Sequence, residues 1–328
     1  MTTSLAERVL AGDPRSIARA ISLVEDEGDA GADLIREIYP RTGRAYLIGV
    51  TGPPGAGKST LVDRLTTGLR HAGQTVGIIA VDPSSPFTGG ALLGDRVRMN
   101  AHHADEGVFI RSMATRGHLG GLARATGDVA LVFDAAGKDI VIIETVGVGQ
   151  DEVDIVRAAD ISIVVLVPGT GDEVQALKAG IMEIADIFVV NKADREGADR
   201  LVQSVSAMLA LQAFQPGEWR PPIQKTVATA GTGVPELIET VAQFRAHSAD
   251  VRASRQRVRQ EFRLRDLLSH RFMQIVEETL PPGELQRIVD GIAAREIDPY
   301  AAAGDIMRRV ALHLTTHLAT PAGEGHRS

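Results

Sequence analysis

The feature that most constrains this chain is the stretch from Tyr46 to Leu61, YLIGVTGPPGAGKSTL. An apolar, β-prone run from Tyr46 to Val50 leads into Gly52, Pro53, Pro54, Gly55, Ala56, Gly57, Lys58 and Ser59, and a helical pattern begins at Thr60. This is the phosphate-binding pattern G-x-x-x-x-G-K-[ST] in a strand–loop–helix setting. Glycines let consecutive backbone N–H groups turn inward around a phosphate, and the start of the following helix adds positive potential. In this reading the loop from Gly52 to Thr60 binds the phosphates of a nucleotide. Lys58 reaches the β- and γ-phosphates and the Ser59 hydroxyl ligates Mg²⁺. A tight glycine-rich turn with a stray lysine would not account for so many positions in register between a strand and a helix.

From Arg44 to about Arg245 apolar runs alternate with helical patterns. The strands are expected at Tyr46–Val50, Val76–Val81, Val108–Ile110, Ile140–Ile143, Ile161–Val167, Ile187–Val190 and Lys225–Ala228. Such alternation predicts a mostly parallel α/β sheet flanked by helices, because parallel strands need crossover connections. Ligands of such sheets sit at the C-terminal ends of the strands. Each polar motif falls at one of those ends.

Asp82, in VDPSSP after the second strand, is placed to bind Mg²⁺ through water or to orient an attacking water; the competing reading is a plain Asp-Pro turn. Asp95, in GDRVRM, lies in a segment that could line the phosphates or form a solvated loop. Arg111 and Arg116 follow the third strand, as phosphate partners or as structural ion pairs. The strand ending at Ile143 runs into Glu144-Thr145-Val146-Gly147-Val148-Gly149-Gln150. An acid after an apolar strand places a carboxylate near Mg²⁺, here with one methylene more than the usual Asp. Three residues on, the Gly147 N–H is positioned for a γ-phosphate. Gln150 reads as a helix N-cap or as a water-positioning group.

The strand ending at Val190 continues into Asn191-Lys192-Ala193-Asp194. N-K-x-D reads guanine, since the Asp carboxylate accepts from N1–H and the 2-amino group together while the Lys stem covers the base. Adenine lacks that donor pair, and discrimination of this type reaches roughly 10⁴–10⁵-fold. After the last strand Thr229-Ala230-Gly231 suits a backbone contact to guanine O6, assigned to Ala230. The expected ligands are therefore GTP or GDP with Mg²⁺. Gly169 to Lys178, rich in glycine and polar residues, is a candidate mobile segment or a plain connection.

Composition narrows the surroundings. The chain has no cysteine, so disulfides and thiolate metal sites are excluded, in keeping with a reducing compartment. A net charge of −7 argues against nucleic-acid binding. No apolar run reaches the ~18 residues of a membrane span, and MTTSLAERVLAGD has no signal-peptide core, so the expected location is the cytoplasm. Residues 1–43 read as helices, with a capping box at Ser4 and Glu7, an N-cap at Asp13-Pro14 and a break across Gly28 to Gly31. Residues 44–246 make the nucleotide domain. Residues 247–328 read as an arm of three helices, the first, Val251 to Ile275, carrying seven arginines as a solvated or dimer-facing surface.

With these residues laid out, the chain resembles, over nearly its full length, the MeaB/ArgK family of GTPases that associate with adenosylcobalamin-dependent methylmalonyl-CoA mutase. The resemblance rests on GVTGPPGAGKST, VDPSSPFTGGALLGDRVRM, RSMATRGHLGGL, ETVGVGQDE, NKAD and DPYAAA. It implies a P-loop fold of the signal-recognition/MinD-like class and a homodimer through the C-terminal arm. It also implies a GTPase that loads and protects the mutase's cofactor, the adenosylcobalamin belonging to the partner, since this chain has no D-x-H-x-x-G motif. By motif, Lys58 and Ser59 bind phosphate and Mg²⁺, Asp82, Asp95 and Glu144 form the metal and catalytic shell, and Asp194 selects guanine. Gly169–Lys178 corresponds to the mutase-responsive switch. Position 53 is Pro, so a MinD-type lysine donated across a dimer is not supported.

Rival readings are a nickel-inserting metallochaperone GTPase, a protein kinase, and a GTP-binding scaffold with little turnover. The first would use Cys or His clusters, whereas His102-His103 reads as an isolated surface pair. The second would need ATP, which N-K-x-D opposes. Which acyl-CoA mutase is served is not written in the chain.

Overall fold

A computed structural model of the chain describes residues 3–26, 28–82, 102, 104–114, 121–145, 159–169, 184–250 and 252–318. Contacts divide the chain into two compact units, one through Arg259 and one from Gln260.

The first unit is built on strands β1 (Tyr46–Thr51), β2 (Val76–Asp82), β3 (Val108–Ala114), β4 (Ile140–Glu144), β5 (Ile161–Leu166), β6 (Ile187–Asn191) and β7 (Ile223–Thr226). Among the described residues these form one sheet in the order β3-β2-β4-β1-β5-β6-β7, and every neighbouring pair is parallel. The parallel sheet expected from the alternation is therefore what forms, and all C-terminal strand ends share one edge. Val50 lies opposite Glu144, Thr51 opposite Val164 and Asn191 opposite Thr226. The last strand sits two residues earlier than the apolar pattern suggested. Val227 leaves it to pair with Thr232, and the Ala228 N–H goes to the Asn191 side chain at 3.1 Å.

The strands read as continuous Val/Ile runs because both faces are covered. One face, carrying Ile48, Val50, Ile78, Ile142, Ile163, Val165 and Val189, packs on Leu61, Val62 and Leu65 of α4 (Lys58–His71) and on Leu237 and Phe244 of a later helix, Val234–His247. The other face is divided. Val164, Leu166, Phe188 and Val190 meet Leu201 and Val205 of the helix Ala198–Leu209. Ile79, Val81, Val141 and Ile143 meet Val129 and Phe133 of α5 (Gly121–Ala135) together with Ile17, Ile21, Leu34 and Ile38. Each fully buried Ile, Leu or Phe contributes roughly 1.5–3 kcal/mol.

Those last four residues belong to α2 (Pro14–Glu25) and α3 (Asp29–Ile38), preceded by α1 (Leu5–Leu10). The N-terminal helices thus cover the sheet. Their caps are those expected: Ser4 and Glu7 bond reciprocally at 2.8 and 3.1 Å, and Asp13 accepts from the Ser16 N–H at 2.8 Å. The expected break falls between α2 and α3 and ends at Gly28, the N-cap of α3, so it does not extend to Gly31. Gly31 lies inside α3, where a Cβ would meet the Leu23 carbonyl oxygen at 2.7 Å, so glycine lets α3 close onto α2. The buried Asp134 carboxylate accepts from the N–H groups of Gly43, Arg44 and Ala45, fixing the entry into β1. Arg111 of β3 is an ion-pair partner for Glu25 of α2, its Nε 2.9 Å from Oε1. That is the structural one of its two readings; Arg116 lies outside the described residues.

The second unit contains the rest of a helix that runs from Arg252 to Thr279, then Glu284–Ala293 and Pro299–Leu318. Val276, Leu280 and Val310 form its small core with Phe272, Ile275, Leu285, Ile306 and Leu314. Asp298 caps the last helix by accepting from the Ala301 N–H at 2.9 Å. Among the described residues, no helix is long and apolar enough to cross a membrane.

Candidate functional site: a nucleotide cradle at the strand ends

The loop after β1 is shaped by what it must pass. Gly52 has φ 143°, and a Cβ there would lie 2.0 Å from the Val165 carbonyl oxygen, so only glycine fits against β5. The Ala56 N–H closes a turn onto Pro53 O at 3.1 Å. Gly57, at φ 86°, stands before the first turn of α4 and leaves Lys58, Ser59 and Thr60 to open the helix. Pro54 and Gly55 are exposed at the loop's outer side.

Lys58 is 6% exposed. Its Nζ donates to the carbonyls of Gly52 at 2.7 Å and Pro53 at 3.1 Å, so the ammonium lies across the loop's own backbone. The Ser59 Oγ donates to Glu144 Oε1 at 2.5 Å. Glu144, 7% exposed, ends β4 beside β1, and its extra methylene lets it reach the first turn of α4. Thr145, directly after it, ties the two strand ends together: its N–H donates to Val50 O at 3.0 Å and its hydroxyl to Thr51 Oγ1 at 2.9 Å.

The other end is organised by Asn191, 2% exposed at the end of β6. Its Nδ2 donates to Ala56 O at 2.8 Å. Its Oδ1 accepts from the Thr226 hydroxyl at 3.0 Å and the Ala228 N–H at 3.1 Å. One side chain thereby joins the phosphate loop, β6 and the turn after β7. Lys192 has φ 56° and donates from Nζ to Gly55 O at 2.8 Å, laying its stem over the loop. Asp194 is exposed two residues on.

The structure therefore brings together Gly52, Pro53, Ala56, Lys58, Ser59, Glu144, Asn191 and Lys192 through direct bonds. Asp82 ends β2, two residues past the Ala80 that pairs with Glu144; its side chain, like Asp95, Gly147, Gln150 and residues 170–178, lies outside what is described. The Ala230 N–H, assigned to guanine O6, is instead spent on a turn bond to Val227 O at 2.9 Å. Among the described residues, the neighbouring Thr229 N–H has no protein acceptor. His102, expected on the surface, is 7% exposed, with Nε2 3.2 Å from Asp63 Oδ1. His103 lies outside the described residues.

Three groups in this arrangement carried no signal in the sequence. Arg64 of α4 donates from Nε to Ala228 O at 3.3 Å and from NH2 to Thr229 O at 3.1 Å. Thr226 and Thr145 act through pairings between strands far apart in the chain.

A strand–loop–helix phosphate cradle, joined through an asparagine to an N-K-x-D loop at the same edge of a parallel sheet, defines a P-loop GTPase. Residues 17–280 match the family described as methylmalonyl Co-A mutase-associated GTPase MeaB. The chain belongs to that family. A Pyrococcus abyssi relative is 50% identical over 315 residues, covering 94% of this chain and 97% of its own. The GTPase ArgK of Escherichia coli is 37% identical over 245 residues, covering 73% and 74% of the two chains. Among solved structures, one titled as a LAO/AO transport system kinase superposes with a TM-score of 0.70 at 26% identity, over 95% of this chain and 96% of that one.

Proposed function

We propose that this GTPase is Mg²⁺-dependent and serves an adenosylcobalamin-dependent acyl-CoA mutase, methylmalonyl-CoA mutase in the first instance, gating the loading of its cofactor and protecting it from inactivation. The observation that carries the catalytic half is the meeting of Ser59 and Glu144 beside buried Lys58. A hydroxyl and a carboxylate oxygen at a helix start are the hard donors that Mg²⁺ prefers, so the residues present fit that ion. Ser59 and Glu144 would hold it, with Asp82 and Asp95 completing the shell. The ion would neutralise charge on the β- and γ-phosphates.

The protein groups do the rest. Lys58 exchanges the carbonyls of Gly52 and Pro53 for phosphate oxygens, a better partner for an ammonium because the bond becomes charge-assisted on both sides. Loop N–H groups, with Gly147 beyond them, hold the γ-phosphate, and positioning supplies most of the acceleration. Asp194 accepts from guanine N1–H and the 2-amino group. The O6 contact passes to the Thr229 N–H, since that of Ala230 is engaged.

The partner half is supported by the family's description and by the second unit. Its helices bury few residues while Tyr300 is 90% exposed, Leu312 68% and Leu268 61%. Apolar surface of this kind suits an interface, and we assign residues 247–328 to a homodimerising arm and residues 44–246 to the nucleotide domain. The adenosylcobalamin stays with the mutase, and the setting is cytoplasmic. The test is GTP turnover with Mg²⁺, alone and with the organism's methylmalonyl-CoA mutase, with ATP and Lys58→Ala as controls. Stimulation specific to GTP and lost in the variant is expected. A rate indifferent to saturating mutase would refute the partnership.

A further inference from the structure

Arg64 lies outside every phosphate and base motif, yet it grips the turn that follows β7 from the opposite side to Asn191. The Ala228 N–H goes to Asn191 Oδ1 at 3.1 Å. The Ala228 carbonyl accepts from Arg64 Nε at 3.3 Å and from the Gly231 N–H at 3.2 Å. The Thr229 carbonyl accepts from Arg64 NH2 at 3.1 Å. There is no cis peptide among the described residues. In a planar trans peptide the C=O of one residue and the N–H of the next point in opposite directions. Holding the Ala228 carbonyl toward α4 therefore fixes the direction of the Thr229 N–H, which has no protein acceptor among the described residues.

We propose that Arg64 is a positioning residue for base selection: by clamping the Ala228 and Thr229 carbonyls it aims the Thr229 N–H at the 6-oxo group of the purine. This rests on the guanine reading above and names how one edge of the base is recognised. Arg64 touches neither base nor phosphate in this account. Its planar fork sets Nε and NH2 on the carbonyls of two consecutive peptides in one fixed geometry, whereas the donors of a lysine ammonium rotate freely. Arg64 is an exposed residue, so the clamp is not a core contact whose loss would unfold the domain.

The experiment compares dissociation constants of GDP, 6-thio-GDP and IDP for the full chain, for Arg64→Ala and for Arg64→Lys. Sulfur is a poor acceptor, so 6-thio-GDP alters only the contact at position 6, whereas IDP removes only the 2-amino group. In the native protein 6-thio-GDP should bind more weakly than GDP. Arg64→Ala should weaken GDP roughly 5-fold, the scale of one hydrogen bond, with much less effect on 6-thio-GDP. The 6-thio/GDP ratio then collapses toward one while the IDP/GDP ratio stays put, and Arg64→Lys falls between. A merely structural Arg64 would weaken all three ligands alike and leave both ratios unchanged, which overturns the proposal. A native protein that binds ADP as tightly as GDP would instead overturn the guanine reading beneath it.

Discussion

The two ends of the site hold their polar groups in different ways. At the phosphate end Lys58 and Ser59 are bonded to groups that a ligand would replace: two loop carbonyls and one carboxylate. At the base end Asn191, Lys192 and Arg64 bond to backbone atoms and to the Thr226 hydroxyl, groups that no ligand replaces, and Asp194 is left exposed. On the proposed reading the first end exchanges partners on binding and the second is assembled in advance, so the phosphate end should govern rate and the base end stability and selectivity.

The sharpest break in that comparison is Lys58→Ala. It removes the cation that meets developing phosphate charge, and turnover should fall about 100- to 1000-fold in a phosphate-release assay, with the thermal midpoint nearly unchanged. Asn191→Ala should do the reverse. It strands the Ala56 carbonyl, the Thr226 hydroxyl and the Ala228 N–H, and should cost about 2–3 kcal/mol in urea unfolding, with weaker GDP binding as a consequence. Glu144→Gln keeps the size and the bond to Ser59 but removes the charge. Hydrolysis should drop about 30-fold, or roughly 2 kcal/mol, and need more Mg²⁺ for half-maximal rate, while GDP affinity without Mg²⁺ holds.

The smallest effect belongs to neither end. Asp105 lies beside Arg70, at the opposite edge of the sheet, with two contacts of 2.8 Å. The hydrogen bond from Arg70, then that from the Gly107 N–H, lowers the Asp105 carboxyl from 3.8 to about 2. A depressed carboxyl stabilises the fold fully above its ordinary range and loses that contribution as pH falls through the folded value. Asp105→Asn should therefore flatten the loss of stability between about pH 4 and pH 2. After screening at this partly exposed pair the size is of order 1 kcal/mol. Turnover at neutral pH should not change.

Much of this was legible because local chemistry wrote it. The phosphate loop, Glu144 after an apolar strand, and N-K-x-D each combine backbone need and side-chain chemistry within a few residues. The caps at Ser4 and Asp13 were legible for the same reason. What was not legible depends on elements that meet only after folding. Gly31 reads as a helix breaker until α2 lies against it, where its missing Cβ becomes the reason for the close approach. Arg111 is equally suited to a phosphate or a carboxylate until Glu25 arrives from the N-terminal helices. The last strand slipped by two residues because the Asn191 side chain competes for the Ala228 N–H. The Ala230 N–H is taken up by the Val227 carbonyl in the turn while that of Thr229 is not, and Arg64 has no sequence signature at all.

The central claim is that a pre-assembled base end selects the substrate for the phosphate end. The measurement that tests it most directly is phosphate release from GTP, XTP and ATP, with Mg²⁺, by the native protein and by Asp194→Asn. Xanthine carries a carbonyl where guanine carries the 2-amino group, so an amide at position 194 can donate where the carboxylate accepted. The native chain should hydrolyse GTP and neglect the other two, and Asp194→Asn should prefer XTP at a comparable rate, with unfolding unchanged because the side chain is exposed. Equal turnover of ATP and GTP by the native chain, or a variant that keeps its preference for GTP, would contradict it.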